Sequence, residues 1–228
     1  MDALIESTAP KDVVAAAGAW LGAALEPSGF AWSLRPARLE RRVGPLIHQV
    51  HFQSSRYNRA GQSILVSTML NIREPALRRW RRAHPGRTRV EAGDSVCGHP
   101  LGYASGRSGG YLYGSYEDGQ IDLTDPATRE AKLDAFAAMM REAVLPWFDE
   151  ASDPDRIVTS RAADYTDPSL VIEWLASRDR PDLVDAYVDR YLSRHPDLRA
   201  RYEAGRSSRP GATDDLAELL GRSHARLT

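Results

Sequence analysis

The chain has 228 residues, with 30 bases against 31 acids, a formal net charge of -1 and a mean hydropathy of -0.45. A composition that is 42% hydrophobic and 27% charged excludes a wholly disordered chain. No apolar run approaches the roughly 18 residues that a membrane span needs, so no membrane partner is expected.

In chain order, residues 8–26 read as an amphipathic helix. Val13, Ala17, Trp20, Leu21, Ala24 and Leu25 recur at the helical period, Thr8 suits an N-cap, and Pro27-Ser28-Gly29 is a stop. From residue 30 the period changes to two. Leu39, Arg41 and Val43 alternate with Arg38, Glu40 and Arg42, and Gly44-Pro45 is turn chemistry. Leu46 to Ser54 reads as a strand with Leu46, His48, Val50 and Phe52 on one face. Ser55 to Gly61 is a hairpin loop, and Gln62 to Ile72 a second long strand. Short connections between consecutive strands imply an antiparallel meander. Pro75 opens a short helix through Arg82, and residues 86–110, rich in glycine, read as a long loop. Tyr111 to Tyr116 and Gln120 to Leu123 suggest a hairpin around Asp118-Gly119.

Asp125-Pro126 starts a helix whose apolar stripe is Leu133, Phe136, Ala137, Met140 and Val144, with Pro146 expected to end or kink it. Pro168, Pro181 and Pro196 each open a further helix, at spacings of 13 and 15 residues. Gly205 to Gly211 reads as a linker, and Thr213 to Leu227 as a last amphipathic helix. Together these elements predict an α+β fold. An antiparallel sheet of four to six strands is covered on one face by the first helix and the 126–145 helix, and short C-terminal helices are appended. The expected division is residues 1–160 and 161–228.

The single cysteine, Cys97, excludes an internal disulfide and fits a reducing compartment. The acids in Met1–Glu6 do not suit a signal peptide. A cytoplasmic location is the expectation.

Charge is uneven along the chain. Residues 30–90 hold 13 arginines and two acids, whereas residues 115–155 hold 11 acids and three bases. The basic half points to an anionic partner, either nucleic acid or an acidic protein. Arg78, Arg79, Arg81 and Arg82 sit on the short helix around Trp80, and Arg56 in the hairpin loop is placed to add to them. An arginine fork suits phosphate oxygens, and Trp80 reads as a core anchor.

Several stretches occur together. Leu25-Glu26-Pro27-Ser28-Gly29-Phe30 precedes Arg38-Leu39-Glu40-Arg41. Then come Leu46-Ile47-His48-Gln49-Val50-His51-Phe52-Gln53-Ser54-Ser55-Arg56-Tyr57-Asn58 and Leu145-Pro146-Trp147-Phe148-Asp149. Over roughly residues 10–160 this resembles the bacterial family catalogued as domain of unknown function 4304. The resemblance implies an α+β fold and no defined activity. It marks Gln53, Arg56 and Asn58 as a shared feature at a strand end, either a turn or a site.

Specific chemistry is sparse. His48 and His51 point to opposite faces of a strand, and Cys97-Gly98-His99 lacks a second ligand pair, so no metal or other cofactor is expected. Cys97 has no identifiable base. The glycines at 102–114 are not followed by Gly-Lys-Ser or Gly-Lys-Thr, so they do not form a P-loop. The leading expectation is a non-enzymatic binding or accessory protein whose partner is unknown, with no catalytic residue assigned. A polar cluster of His51, Gln53 and Asn58 is a candidate site. One alternative is an anion or nucleic-acid binder through Arg56, Arg78, Arg79, Arg81 and Arg82. Another is a hydrolase using His51 or His99.

Overall fold

The computed structural model describes residues 4, 6–85, 93–107, 119–207 and 215–227. The expected division at residue 160 is contiguous, but the compact units are not. One unit comprises Met1–Asn71 with His99–Phe148, the other Ile72–Gly98 with Asp149–Thr228. Among the described residues no helix is long and apolar enough to cross a membrane.

The fold is α+β, built on a six-stranded antiparallel sheet with strand order β1-β2-β3-β4-β5. The strands are β1 (Ala31–Leu34), β2 (Ala37–Val43), β3 (Leu46–Ser54), β4 (Leu65–Arg73), β5 (Ser95–Pro100) and β6 (Gln120–Asp122). Strand β6 also pairs with β4, so β5 and β6 share the edge of β4 that β3 leaves open. The β2–β3 register sets Leu39 opposite Val50, Glu40 opposite Gln49, and Arg38 opposite His51. Strand β3 is buried continuously from Leu46 to Val50, as befits a central strand.

In the first unit, helix α1 (Pro10–Leu25) packs on β1, β2 and β3. Its buried stripe is Val13, Val14, Ala17, Leu21 and Leu25. Thr8 is not its cap. Ala9 holds the N-cap position with no side-chain bond, and Pro10, with its fixed φ, makes the first turn instead. Gly18 and Gly22 lie one turn apart on α1, against Trp32 of β1. A Cβ on Gly18 would sit 2.1 Å from the indole, and one on Gly22 2.8 Å from the Trp32 Cβ. The two glycines form the slot that lets the helix lie this close to the sheet.

The second cover is α3 (Arg129–Met139) and α4 (Leu145–Ala151). Phe52 meets Trp32 edge-on at 5.3 Å and Phe136 at 6.2 Å, which ties β1, β3 and α3 into one core. Pro146 does not end the helix. A π turn, Met140–Val144, joins α3 to α4, and the Leu145 N–H donates to the Met140 carbonyl. The wider turn absorbs the missing proline N–H and its clash with the preceding turn. Arg129 is buried, and its guanidinium donates to the carbonyls of Leu123 at 2.7 Å, Leu4 at 2.5 Å and Ser7 at 2.9 Å.

The second unit is mostly helical: α2 (Pro75–Ala83), α5 (Pro154–Thr159), α6 (Pro168–Ser177), α7 (Pro181–Arg194), α8 (Arg199–Ser207) and α9 (Leu216–Leu227). The prolines at 168 and 181 open helices as expected. Pro196 opens a 3-10 turn that runs into α8. Helix α6 touches α2, α7 and α9, and seven of its residues are buried, Trp174 among them.

Residues 93–107 are not a loop. They contain β5 and the 3-10 turn Leu101–Tyr103. Val96, Cys97, His99 and Pro100 are all buried, so both faces of β5 are covered and no polar alternation marks the strand. The expected hairpin strand at residues 111–116 lies outside the described residues, whereas Gln120–Asp122 forms β6 as expected. Gly205 is not in a linker. It lies in α8, where a Cβ would fall 2.2 Å from the Glu218 carbonyl oxygen of α9, and a Cβ on Gly221 would fall 2.0 Å from the Tyr202 oxygen. Two glycines thus bring the backbones of α8 and α9 into contact.

Candidate functional site

The candidate site of the first unit is the sheet face opposite His48 and Val50. Period-two geometry puts Arg38 and Glu40 of β2, Gln49 and His51 of β3, and Asn71 of β4 on this face. They form one hydrogen-bonded array centred on Gln49, which is 1% exposed. The Gln49 amide donates to Glu40 Oε2 at 2.9 Å. Its carbonyl oxygen accepts from Asn71 Nδ2 at 3.2 Å and lies 3.1 Å from His51 Nε2. Arg38 closes on Glu40 at 2.8 Å, while its Nε is buried with no hydrogen-bond partner. Beside this array opens a cleft of about 450 Å³ lined by Ala31, Ser33, Arg38, Glu40, Arg41 and Arg42, with Gly29 and Trp32. The Arg38 and Arg42 guanidinium groups against the single Glu40 carboxylate give it a positive field.

Behind the strand, the covered face holds a different histidine. His48 stacks on Phe148, with ring centroids 4.5 Å apart, and its Nδ1 accepts from Arg41 Nε at 3.0 Å. Burial and the adjacent Arg41 charge pull its pKa down from 6.5 to about 3, so the ring is neutral. Arg41 in turn lies over Phe30 at 5.2 Å. His48 is thus a core acceptor for an arginine.

The polar cluster expected of His51, Gln53 and Asn58 does not assemble. His51 joins the Gln49 array, Gln53 is exposed further along the strand, and Asn58 belongs to the hairpin loop. Asn58 Oδ1 accepts from the Leu65 N–H at 2.8 Å, and its Nδ2 donates to the Leu65 carbonyl at 2.8 Å and to Ser54 Oγ at 3.0 Å. That carboxamide closes the loop between β3 and β4, so Asn58 marks a turn. Arg56 donates to the exposed Tyr57 hydroxyl at 2.5 Å.

The expected arginine patch loses Arg81, which is buried. Arg56 belongs to the first unit and Arg78, Arg79, Arg81 and Arg82 to the second. Arg81 is 0% exposed. Its Nε donates to Glu173 of α6 at 2.7 Å, and its Nη1 to the carbonyls of Gly93 at 3.1 Å and Ser95 at 2.9 Å. Leu77 and Arg81, four residues apart, form the inward stripe of α2. Trp80 is half-buried against the His84 ring at 4.6 Å and is not the core anchor. Arg78 faces Asp94 at 3.6 Å, which Arg73 holds at 2.7 Å. These arginines keep Asp94 below the usual carboxylate range against its desolvation. Arg79 and Arg82 point outward.

The groups that a hydrolase needs are placed differently. His99 is 3% exposed, with Nδ1 2.8 Å from the Pro100 carbonyl oxygen, and packs edge-on against Trp147 at 4.7 Å. Burial raises the Cys97 thiol to about 12, and its Sγ lies 3.8 Å from the Ala162 carbonyl oxygen. The string Gly106-Arg107-Ser108-Gly109-Gly110 has Gly-x-Ser-x-Gly spacing, but the turn Leu101–Tyr103 leads toward it, where a nucleophile elbow needs a strand. Ser108 lies outside the described residues. Among the described residues no group of three or more His, Cys, Asp or Glu is arranged to hold a metal ion.

One arrangement left no sequence signal. Asp185 of α7 lies 2.8 Å from His224 Nε2, and His224 Nδ1 lies 2.6 Å from the Tyr202 hydroxyl. The order carboxylate–imidazole–hydroxyl is that of a nucleophile relay. However, Tyr202 is 3% exposed and desolvation raises its pKa, so the relay acts as a clasp joining α7, α8 and α9.

Comparison of the chain with protein-family models, curated proteins and solved structures found no match.

Proposed function

We propose that this chain is a non-enzymatic binding protein whose ligand, a polar molecule with an acidic group, meets the first unit at Arg38, Glu40, His51 and Asn71, which the buried Gln49 holds in place. The observation that carries the reading is the Gln49-centred array beside an open cleft. It is a pre-ordered set of donors and acceptors in which Arg38 Nε is still without an acceptor. Donors already held in place lose little entropy when a ligand arrives. An acidic group suits the charge of the cleft, and the Glu40 carboxylate suits a neighbouring donor on the ligand.

The state of the reactive side chains supports binding over catalysis. His48 is neutral and spends its lone pair on Arg41, and the Cys97 thiol holds its proton. A general base works best with a pKa near the operating pH, and a cysteine nucleophile needs its thiolate. The resemblance to domain of unknown function 4304 adds no activity to this reading.

The test is a chemical-shift map of isotopically labelled protein against a library of small carboxylic and amino acids. Saturable shifts at residues 31–51 and 71, lost in Arg38→Ala, support the proposal. Saturable binding that maps elsewhere and survives Arg38→Ala overturns it.

A further inference from the structure

The second unit contains an arginine cluster that sequence order conceals. Arg190 and Arg194 lie four residues apart on α7 and so share a face. Both reach Asp164 in the turn before α6. Arg190 Nη2 lies 2.9 Å from Asp164 Oδ1, and Arg194 Nη1 pairs with Asp164 Oδ2. Arg161 approaches the same carboxylate at 3.7 Å from the turn itself. Arg190 also donates to the Ser160 carbonyl, while its Nη1 is buried with no hydrogen-bond partner. Three guanidinium charges therefore surround one carboxylate. Asp167, the next acid along the turn, accepts from Ser169 at the start of its own helix.

This excess of positive charge faces a cleft of about 400 Å³ lined by Arg161, Asp164, Tyr165, Arg194 and His195. The Arg161 side chain is 74% exposed and that of Arg194 39%, whereas Asp164 is 8% exposed. The carboxylate is thus sunk behind two more exposed arginines. Tyr165 forms an exposed aromatic wall, and its hydroxyl lies 3.4 Å from Arg161. The cluster keeps a net positive field in a concave site, where field lines concentrate. Two exposed planar forks match the oxygens of a tetrahedral dianion.

We infer that this cleft binds the phosphate group of a small phosphate monoester, with Arg161 and Arg194 gripping its oxygens and Arg190 adding charge from behind. The site is independent of the sheet cleft of the first unit. The experiment is calorimetric titration of the full chain with inorganic phosphate and with phenyl phosphate, at ionic strength held constant with sodium chloride. Saturable binding of both is expected, with phenyl phosphate the tighter because its ring meets Tyr165. Arg161→Ala, at a side chain too exposed to matter for folding, should weaken both by about tenfold, the loss of one charge-assisted contact. Arg79→Ala, an exposed arginine elsewhere in the unit, should leave both unchanged. Absence of saturable binding overturns the inference, as does an Arg161→Ala affinity equal to wild type, or an equal loss in Arg79→Ala.

Discussion

Replacing Arg81 separates a surface arginine from a core one. An exposed arginine on a short helix changes stability by less than about 0.5 kcal/mol when cut to alanine. Arg81 is fully buried. Its removal leaves the equally buried Glu173 carboxylate without its 2.7 Å partner and frees the carbonyls of Gly93 and Ser95. Breaking one side of such a pair costs about 3–5 kcal/mol, against a total stability of about 5–15 kcal/mol for a typical domain. With a urea slope of about 1–3 kcal/mol/M, Arg81→Ala should lower the denaturation midpoint by one to several molar. Circular dichroism is the readout, since the second unit is mainly helix. Arg79→Ala and Arg82→Ala should leave the midpoint in place. The double variant Arg81→Met with Glu173→Leu should be more stable than Arg81→Ala, because no charge is left buried alone. An Arg81→Ala stability within about 0.5 kcal/mol of wild type would refute the reasoning.

Other consequences follow from single contacts. His48 binds its proton more weakly folded than unfolded, so the unfolded chain takes up more protons and stability falls as pH drops from 6.5 towards about 3. The full effect is present above the unfolded pKa. Urea midpoints between pH 7 and 4 should fall in wild type and fall less in His48→Gln. Gly221→Val should separate α8 from α9, because even a Cβ meets the Tyr202 oxygen at 2.0 Å. A loss of more than about 2 kcal/mol is expected, from overpacking against backbone that cannot rotate away, and a melting curve like that of wild type would contradict it. Gly18→Ala should displace Trp32, visible as a change in near-ultraviolet circular dichroism. Asn58→Ala removes two hydrogen bonds to Leu65 and one to Ser54, and should cost about 1–3 kcal/mol while leaving ligand binding intact, which a combined melt and titration would check.

Legibility in the sequence followed the physics of each element. Strands β3 and β4 stood out through alternation, and the helices at 75, 168 and 181 through proline at the first turn. Strand β5 was hidden because both its faces are buried, so Val96, Cys97 and His99 carry no period-two contrast with solvent-facing neighbours. Arg81 was counted with the anion-binding arginines of its helix, and only the three-dimensional position of Glu173, 92 residues away, shows why it turns inward. Gly205 read as a linker because composition cannot show a helix backbone at 2.2 Å. The candidate site was legible in part. His51 was picked out, but its partners Glu40, Gln49 and Asn71 come from three strands whose register no local pattern reveals. The cluster at Asp164 draws on residues 161, 190 and 194, whose meeting depends on how α7 packs on the turn before α6.

The proposed function is binding without turnover. The measurement that tests it most directly incubates the purified chain with a panel of chromogenic carboxylic and phosphate esters and follows product release. It runs beside binding titrations of the corresponding acids. Saturable binding of an acid that weakens in Arg38→Ala, with release no faster than in buffer, is the predicted result. Release above buffer that is abolished by His51→Ala, His99→Ala or Ser108→Ala would contradict it.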